Sequence, residues 1–144
     1  MFSFFGAFTD ATPGLAEQFR QRWPDIDLVS IRRPFCGFAA RFQESVYSPS
    51  QEDLPESVSN EVQEISLRFS DARIVLLRTE CWGGDCSNWG QFIRNGQVVT
   101  NEPLTEIKEN KGVLRRLMSN FDVDIGSPEI FEPLSRSFPW KTGR

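Results

Sequence analysis

The sequence predicts an α+β fold, in which a mostly antiparallel sheet of about five or six strands packs against two to four helices. Short β-rich runs stand among helical patterns, and the dipeptide Asn95-Gly96 between two such runs is typical of a β-hairpin. No linker of domain size interrupts the chain, so we expect residues 1–144 to form a single domain. With 144 residues and 39% hydrophobic content, the chain is long enough to bury one core.

The N-terminal third is predicted to contain a strand, a helix and two more strands. "MFSFFGAFTD" is apolar but lacks a basic stretch, which favours a first strand over a signal segment. Thr12 is placed to cap a helix over about residues 13–23, in which Pro13 is the first position. The apolar face of that helix consists of Leu15, Phe19 and Trp23. Beyond the helix, "IDLVSIRR" and "FCGFAARFQ" are β-rich.

A long acidic connection, "VYSPSQEDLPESVSN", leads into a segment of ambiguous periodicity. Its prolines and serines predict a loop that ends in a helical turn near residues 55–63. The apolar residues of "VSNEVQEI" have helical spacing, whereas those of "ISLRF" alternate as in a strand. We therefore predict a change from helix to strand near Glu64.

The C-terminal half is predicted to continue the sheet and then to close it with helices. Ser70 and Asp71 form a turn before "RIVLLRTE", which is almost continuously apolar, as expected for a central strand covered on both faces. The Asn95-Gly96 hairpin extends an antiparallel meander, and Asn110 is placed to cap a following helix. The apolar stripe of that helix consists of Val113, Leu114, Leu117, Met118 and Phe121. Residues 127–129, "SPE", predict a further helix start.

The chain contains no histidine, which excludes most familiar hydrolase designs. Ser-His-Asp triads, Cys-His dyads and HExxH metalloproteases all depend on an imidazole that titrates near neutral pH. Neither GxxxxGK[ST] nor GxGxxG occurs, so no phosphate-binding loop is indicated. A carboxylate-based enzyme remains an alternative, in which a pair such as Glu80 and Asp85 shares the acid and base roles.

The stretch "ECWGGDCSNWG", residues 80–90, concentrates cysteine, tryptophan and glycine. Cys81 and Cys86 leave four interpretations open: a zinc site, a redox pair, a local disulfide, and a tight sheet corner with unbonded thiols. Three cysteines without histidine make a poor zinc set, and C-x4-C is not the redox spacing CxxC. The odd number of cysteines favours a reducing, cytoplasmic compartment, so we favour the sheet corner and expect no cofactor and no metal. Cys36 alternates with Phe38 onto one strand face and is predicted to be a buried thiol.

The net charge of −4 is unevenly distributed along the chain. Six acids and no lysine or arginine lie between Phe42 and Leu67. Such a stretch is ordinarily a solvated surface, but acids grouped on one face also attract a basic protein partner. The chain lacks the positive field that nucleic acids require, and no apolar run is long enough to cross a membrane. We therefore expect a protein partner and neither nucleic acid nor membrane.

Five segments follow one another between residues 73 and 134: "RIVLLRTE", "CWGG", "NWGQFIRNGQVV", "KGVLRRLMSNF" and "EIFEPL". In this order they resemble small acidic bacterial proteins, some of which are similar to immunity proteins encoded beside polymorphic toxins; Cys81 and Cys86 depart from that pattern. The resemblance implies a binding role without catalysis, with a basic toxin as partner. Acidic and aromatic side chains of the two segments discussed above are the candidate contacts. The candidate partner-binding residues are Glu52, Asp53, Glu56, Glu61, Glu64, Trp82, Asp85 and Trp89.

Overall fold

The computed structural model describes residues 2–47, 54–83, 85–104, 112–126, 131–135 and 137–140. These residues form one sheet of six antiparallel strands, in the order β2-β3-β1-β4-β5-β6, and three α-helices. The elements are β1 (Phe2–Asp10), α1 (Leu15–Arg22), β2 (Asp27–Ile31), β3 (Gly37–Arg41), α2 (Glu56–Arg68), β4 (Ile74–Trp82), β5 (Asp85–Arg94), β6 (Gln97–Glu102) and α3 (Val113–Met118). The predicted α+β class is confirmed, while the extent of a single domain over residues 1–144 stays a prediction.

Helices cover both faces of the central strands. Along β4, Leu76 packs into the core under α1 and α2, and its neighbour Leu77 packs into the second core under α3. In β1, Phe5 packs into the core under α1 and α2, and Phe4 packs into the core under α3. Because successive side chains of a strand point to opposite faces, a strand covered twice reads as a continuous apolar run. The central position predicted for "RIVLLRTE" is confirmed.

Helix α1 begins later than the sequence indicates. The Thr12 hydroxyl donates a hydrogen bond to the Asp10 carboxylate at 2.7 Å, so it is engaged before the helix and caps nothing. Gly14 precedes the first turn in the left-handed region, with φ of 84°, which glycine adopts without steric cost. The predicted cap at Thr12 is therefore wrong. The predicted apolar face is confirmed, since Leu15, Phe19 and Trp23 are all buried.

Helix α2 continues to Arg68, so the predicted change to a strand near Glu64 is wrong. A strand would place Ile65 and Leu67 on the same face, but Ile65 is fully buried and Leu67 is 62% exposed. Packing of the helical stripe against the sheet therefore decides the conformation. The turn that contains Ser70 consequently joins this helix to β4 and does not join two strands.

The predicted hairpin between β5 and β6 is confirmed. Asn95 and Gly96 both have positive φ, 49° and 76°, as the tight turn requires. Phe92 pairs with Thr100 and Ile93 pairs with Val98, which leaves Val99 as the extra residue of a β-bulge. Since β6 is an edge strand, this bulge interrupts a row of backbone groups to which another chain could add.

The predicted stripe is buried: Val113, Leu114, Leu117 and Met118 lie in α3, and Phe121 lies in the 3-10 helix that follows it. The cap predicted at Asn110 and the helix start at residues 127–129 lie outside the described residues. Short 3-10 helices occupy Ser119–Phe121 and Glu132–Leu134. Within the described part of the chain, no helix is long and apolar enough to cross a membrane.

Candidate functional site

Helix α2 lies alongside β5 and points its N-terminal end toward the turn between β4 and β5. Two hydrogen bonds establish this direction. The Ser59 hydroxyl donates to the Gln91 side chain at 2.6 Å, and the Gly96 amide donates to the Ser66 hydroxyl at 2.7 Å. Glu56, in the first turn of α2, therefore lies at the end of the helix nearest that turn. The tip of the β4–β5 hairpin lies about 20 Å from Gln91 toward the start of β5, at roughly 3.3 Å for each residue of a strand.

The acidic side chains of α2 divide into two groups. Glu56 is exposed and makes no ion pair with any residue that the structure describes. Glu61 and Glu64 both face α1, where the Arg22 guanidinium lies 3.2 Å from one carboxylate and 3.5 Å from the other. Arg22 therefore offsets at most one of the two negative charges that Glu61 and Glu64 contribute.

The helical surface as a whole is close to charge balance. Helices α1 and α2 together carry four carboxylates and three guanidinium groups, those of Glu17, Glu56, Glu61, Glu64, Arg20, Arg22 and Arg68. The acidic excess thus belongs to the N-terminal end of α2 and to the chain before it. Of the predicted partner-binding residues there, Glu52 and Asp53 lie outside the described residues.

The hairpin between β4 and β5 carries a disulfide between Cys81 and Cys86. The expectation of unbonded thiols is therefore wrong. Trp82 pairs with Asp85 across the turn, which places the two cysteines directly opposite each other with Cα atoms 4.0 Å apart. Facing residues of a pair without backbone hydrogen bonds approach about this closely, so the register brings the sulfurs together. The predicted tight corner is present: Gly83 has a positive φ of 56°.

Asp85 and Trp82 lie on either side of that turn, and the side chain of Asp85 alone is described. Asp85 is exposed at the start of β5 and makes no ion pair within the described residues. The backbone of Trp82 closes β4, while its side chain lies outside the described part of the structure. The proposed contact of Trp82 with a partner accordingly stays a prediction.

Cys36 is exposed, so its prediction as a buried thiol is wrong. Strand β3 begins only at Gly37, and Cys36 lies in the preceding loop, where the alternation of the strand does not apply. Phe38 and Ala40 do share the buried face that the sequence indicates. Among the described residues, no group of three or more His, Cys, Asp or Glu side chains is placed to hold a metal ion.

A buried cluster centred on Arg78 lies in the sheet next to the β4–β5 hairpin. The Arg78 side chain is 1% exposed, and its guanidinium lies 3.3 Å from the Glu80 carboxylate. The Ser3 hydroxyl donates to the same Glu80 oxygen at 2.8 Å. The rings of Tyr47 and Trp89 lie 5.3 Å and 5.5 Å from the guanidinium carbon. The positive charge is thereby held between a carboxylate and two aromatic rings.

Two sequence predictions change because of this cluster. Trp89 is 3% exposed, so its indole supports Arg78 and is not on the surface where a partner would bind. Glu80 is engaged by Arg78 and Ser3, whereas Asp85 stands in the exposed turn, so the two carboxylates have separate surroundings. The cluster itself was foreseeable in one respect: Arg78 interrupts the apolar face that includes Leu76, and a buried charge needs partners.

Tyr47 belongs to the acidic connection and packs against Arg78 in the cluster. Burial raises the pKa of the Tyr47 phenol, and a hydrogen bond with Ser3 offsets part of that rise. Tyr47 is also the last described residue before the segment 48–53. Tyr47 lies beside Arg78, on the side of the sheet where α2 begins. Tyr47, Glu56 and the β4–β5 hairpin therefore lie toward the same end of the sheet.

No known family model matches this chain, and comparison with curated proteins and with solved structures gives no significant match.

Proposed function

We propose that this protein is a non-enzymatic binding module that holds a basic protein partner at its acidic end. The acidic end is the surface that carries Glu44, Glu56 and Asp85. All three side chains are exposed, and none of them forms an ion pair with a described residue. The observation that carries the proposal is that Tyr47 and the first turn of α2 meet the base of the β4–β5 hairpin on one side of the sheet. Exposed charges of one sign on the same side of a protein accelerate association with a partner of the opposite sign.

The buried cluster and the disulfide favour a surface that is formed before binding. Arg78 ties β4 to the rings of Tyr47 and Trp89, while Cys81–Cys86 ties the two strands of the hairpin together. A surface that is already ordered loses less conformational entropy when a partner binds. Because Trp89 is buried, Trp82 is the aromatic residue that we include in the proposed interface.

The immunity-type role belongs to the same proposal. It is supported by the resemblance of residues 73–134 to small acidic bacterial proteins, for which a basic toxin is the expected partner. A cytoplasmic location is also part of the proposal, although the disulfide removes two of the three thiols on which that expectation partly rested. The net charge of −4 supports a partner other than nucleic acid.

Affinity capture from the cells that produce the protein tests this function. The bait is the full chain, compared with Glu56→Gln/Asp85→Asn and with the control Glu61→Gln/Glu64→Gln, which removes the same number of charges from the site paired with Arg22. We expect a basic protein that wild type and control retain and that the Glu56/Asp85 variant loses at moderate salt. Equal retention by all three baits, or capture of no basic protein, contradicts the proposal.

A further inference from the structure

A groove of about 550 Å³ lies along the edge strand β2. It is lined by Val29 and Ile31 of that strand and by Phe138 and Pro139. Ile31 belongs to the core under α3, and Val29 points to the same face because it lies two residues away. The remaining lining that matters here is polar: Arg32, Arg33, Glu132, Ser135 and Ser137. Pockets that accommodate ligands commonly measure about 300–1,000 Å³, so the groove is large enough to hold several side chains.

The outer edge of strand β2 has no neighbouring strand among the described residues, and residues of β2 line this groove. It pairs with β3 over Asp27–Ile31 and stands at the end of the strand order. In an antiparallel pair, alternate residues of an edge strand direct their N–H and C=O groups away from the sheet. Unlike β6, whose pairing is interrupted at Val99, β2 pairs in regular register along its whole length. An extended segment of another chain can therefore add to it.

The rim of the groove is positively charged in an acidic protein. Arg32 and Arg33 are exposed, and neither forms an ion pair with a described residue. Glu132 is the single carboxylate among the groove-lining residues that the structure describes. Arginine binds carboxylates through two parallel hydrogen bonds, which makes such a pair selective for acidic groups.

We propose that this groove binds an extended acidic segment of a partner protein, which adds as a further strand to β2. Alternate side chains of the segment would pack on Val29, Ile31 and Phe138, and its carboxylates would pair with Arg32 and Arg33. Backbone hydrogen bonds supply affinity in strand addition, and the side-chain positions supply selectivity. This surface is separate from the acidic end, because β3 and β1 lie between β2 and the hairpin strands. It also selects the opposite charge, so either proposal can fail while the other stands.

Differential selection from a displayed library of random nine-residue peptides tests the proposal. The targets are the full-length protein, the variant Arg32→Glu/Arg33→Glu, and the control Arg68→Glu/Arg94→Glu, which reverses two exposed arginines elsewhere. Thermal unfolding of each target confirms that it is folded. We expect acidic peptides with alternating apolar residues to be enriched on wild type and control. Their Kd should weaken about ten-fold or more on the Arg32/Arg33 variant, as the loss of a charge-assisted hydrogen bond implies.

Backbone pairing is tested with the same peptides. Methylation of alternate peptide nitrogens should abolish binding, and amide chemical shifts should change at Val29–Ile31. The proposal is overturned if no acidic peptides are enriched, if they bind the Arg32/Arg33 variant equally well, or if methylated peptides bind unchanged. It is also overturned if a single-stranded oligonucleotide binds these arginines more tightly than the selected peptides do.

Discussion

Arg78 and Trp89 face each other across β4 and β5, with the guanidinium carbon 5.5 Å from the centre of the indole ring. The pair lies inside the protein, since the Arg78 side chain is 1% exposed and Trp89 is 3% exposed. A buried guanidinium is tolerated only when partners compensate its lost hydration, and here Glu80 supplies the opposite charge. The sheet beneath the proposed interface therefore depends on this cluster.

Removal of the Glu80 carboxylate should destabilise the protein strongly. In Glu80→Ala, Arg78 loses the carboxylate that lies 3.3 Å from its guanidinium, and we expect the free energy of unfolding to fall by about 3 kcal/mol. The matched control is Glu64→Ala, whose carboxylate is 65% exposed and whose effect should stay within about 0.5 kcal/mol. Urea unfolding at pH 7 measures both values. Similar small effects in the two variants would show that the ion pair with Arg78 contributes little.

The single tyrosine of the chain allows its ionisation to be measured directly. Because burial raises the pKa of Tyr47, phenolate absorbance near 295 nm should titrate at higher pH in the folded protein than in urea. The associated stability is complete below pH of about 10, the ordinary tyrosine value, and is lost as pH rises through the folded-state pKa. Coincident titration curves in buffer and in urea would contradict the burial of Tyr47.

Loss of the disulfide should destabilise the hairpin. For Cys81→Ser/Cys86→Ser we expect a fall of about 2 kcal/mol in the free energy of unfolding, because the disulfide closes a short loop in the unfolded chain. Cys36→Ser is the matched control and should change stability by less than about 0.5 kcal/mol, since Cys36 is exposed. A double variant as stable as the control would contradict a stabilising role of the disulfide in the hairpin.

Thiol titration should count the cysteines in two states. The native protein should react at one thiol, that of Cys36, without denaturant, because this side chain is exposed and the other two are bonded. After reduction and unfolding, three thiols should react. Three reactive thiols in the native, unreduced protein would contradict the Cys81–Cys86 bond.

Regular patterns allowed much of the fold to be predicted. The Asn95-Gly96 hairpin depends on local backbone preference, and the stripe of α3 depends on helical periodicity, so both are visible in short segments. The strand predicted for the C-terminal half of α2 is wrong because "ISLRF" satisfies both the helical and the strand period. Only packing against β5 and β6 distinguishes the two. The burial predicted for Cys36 is wrong because the alternation of β3 begins at Gly37 and does not apply to the residue before it.

The candidate site was less predictable because it depends on contacts between distant segments. The neutralising contact of Arg22 joins α1 to Glu61 and Glu64, about forty residues further along the chain, and no local pattern indicates it. Burial of Trp89 likewise follows from its register opposite Arg78. The acidic end is thus smaller than the acidic stretch of sequence, and Glu44, Glu56 and Asp85 are its described, exposed members, none of which forms an ion pair with a described residue.

The rate at which the captured partner associates shows whether the acidic end attracts it. Stopped-flow mixing at low salt should show an association rate several-fold lower for Glu56→Gln/Asp85→Asn than for wild type, about three- to ten-fold, because the acidic end no longer attracts the partner. Glu61→Gln/Glu64→Gln should change the rate less than two-fold, and the wild-type rate should fall steeply as salt is added. Equal rates for the two variants, together with a rate insensitive to salt, would contradict the acidic end as the partner-binding surface.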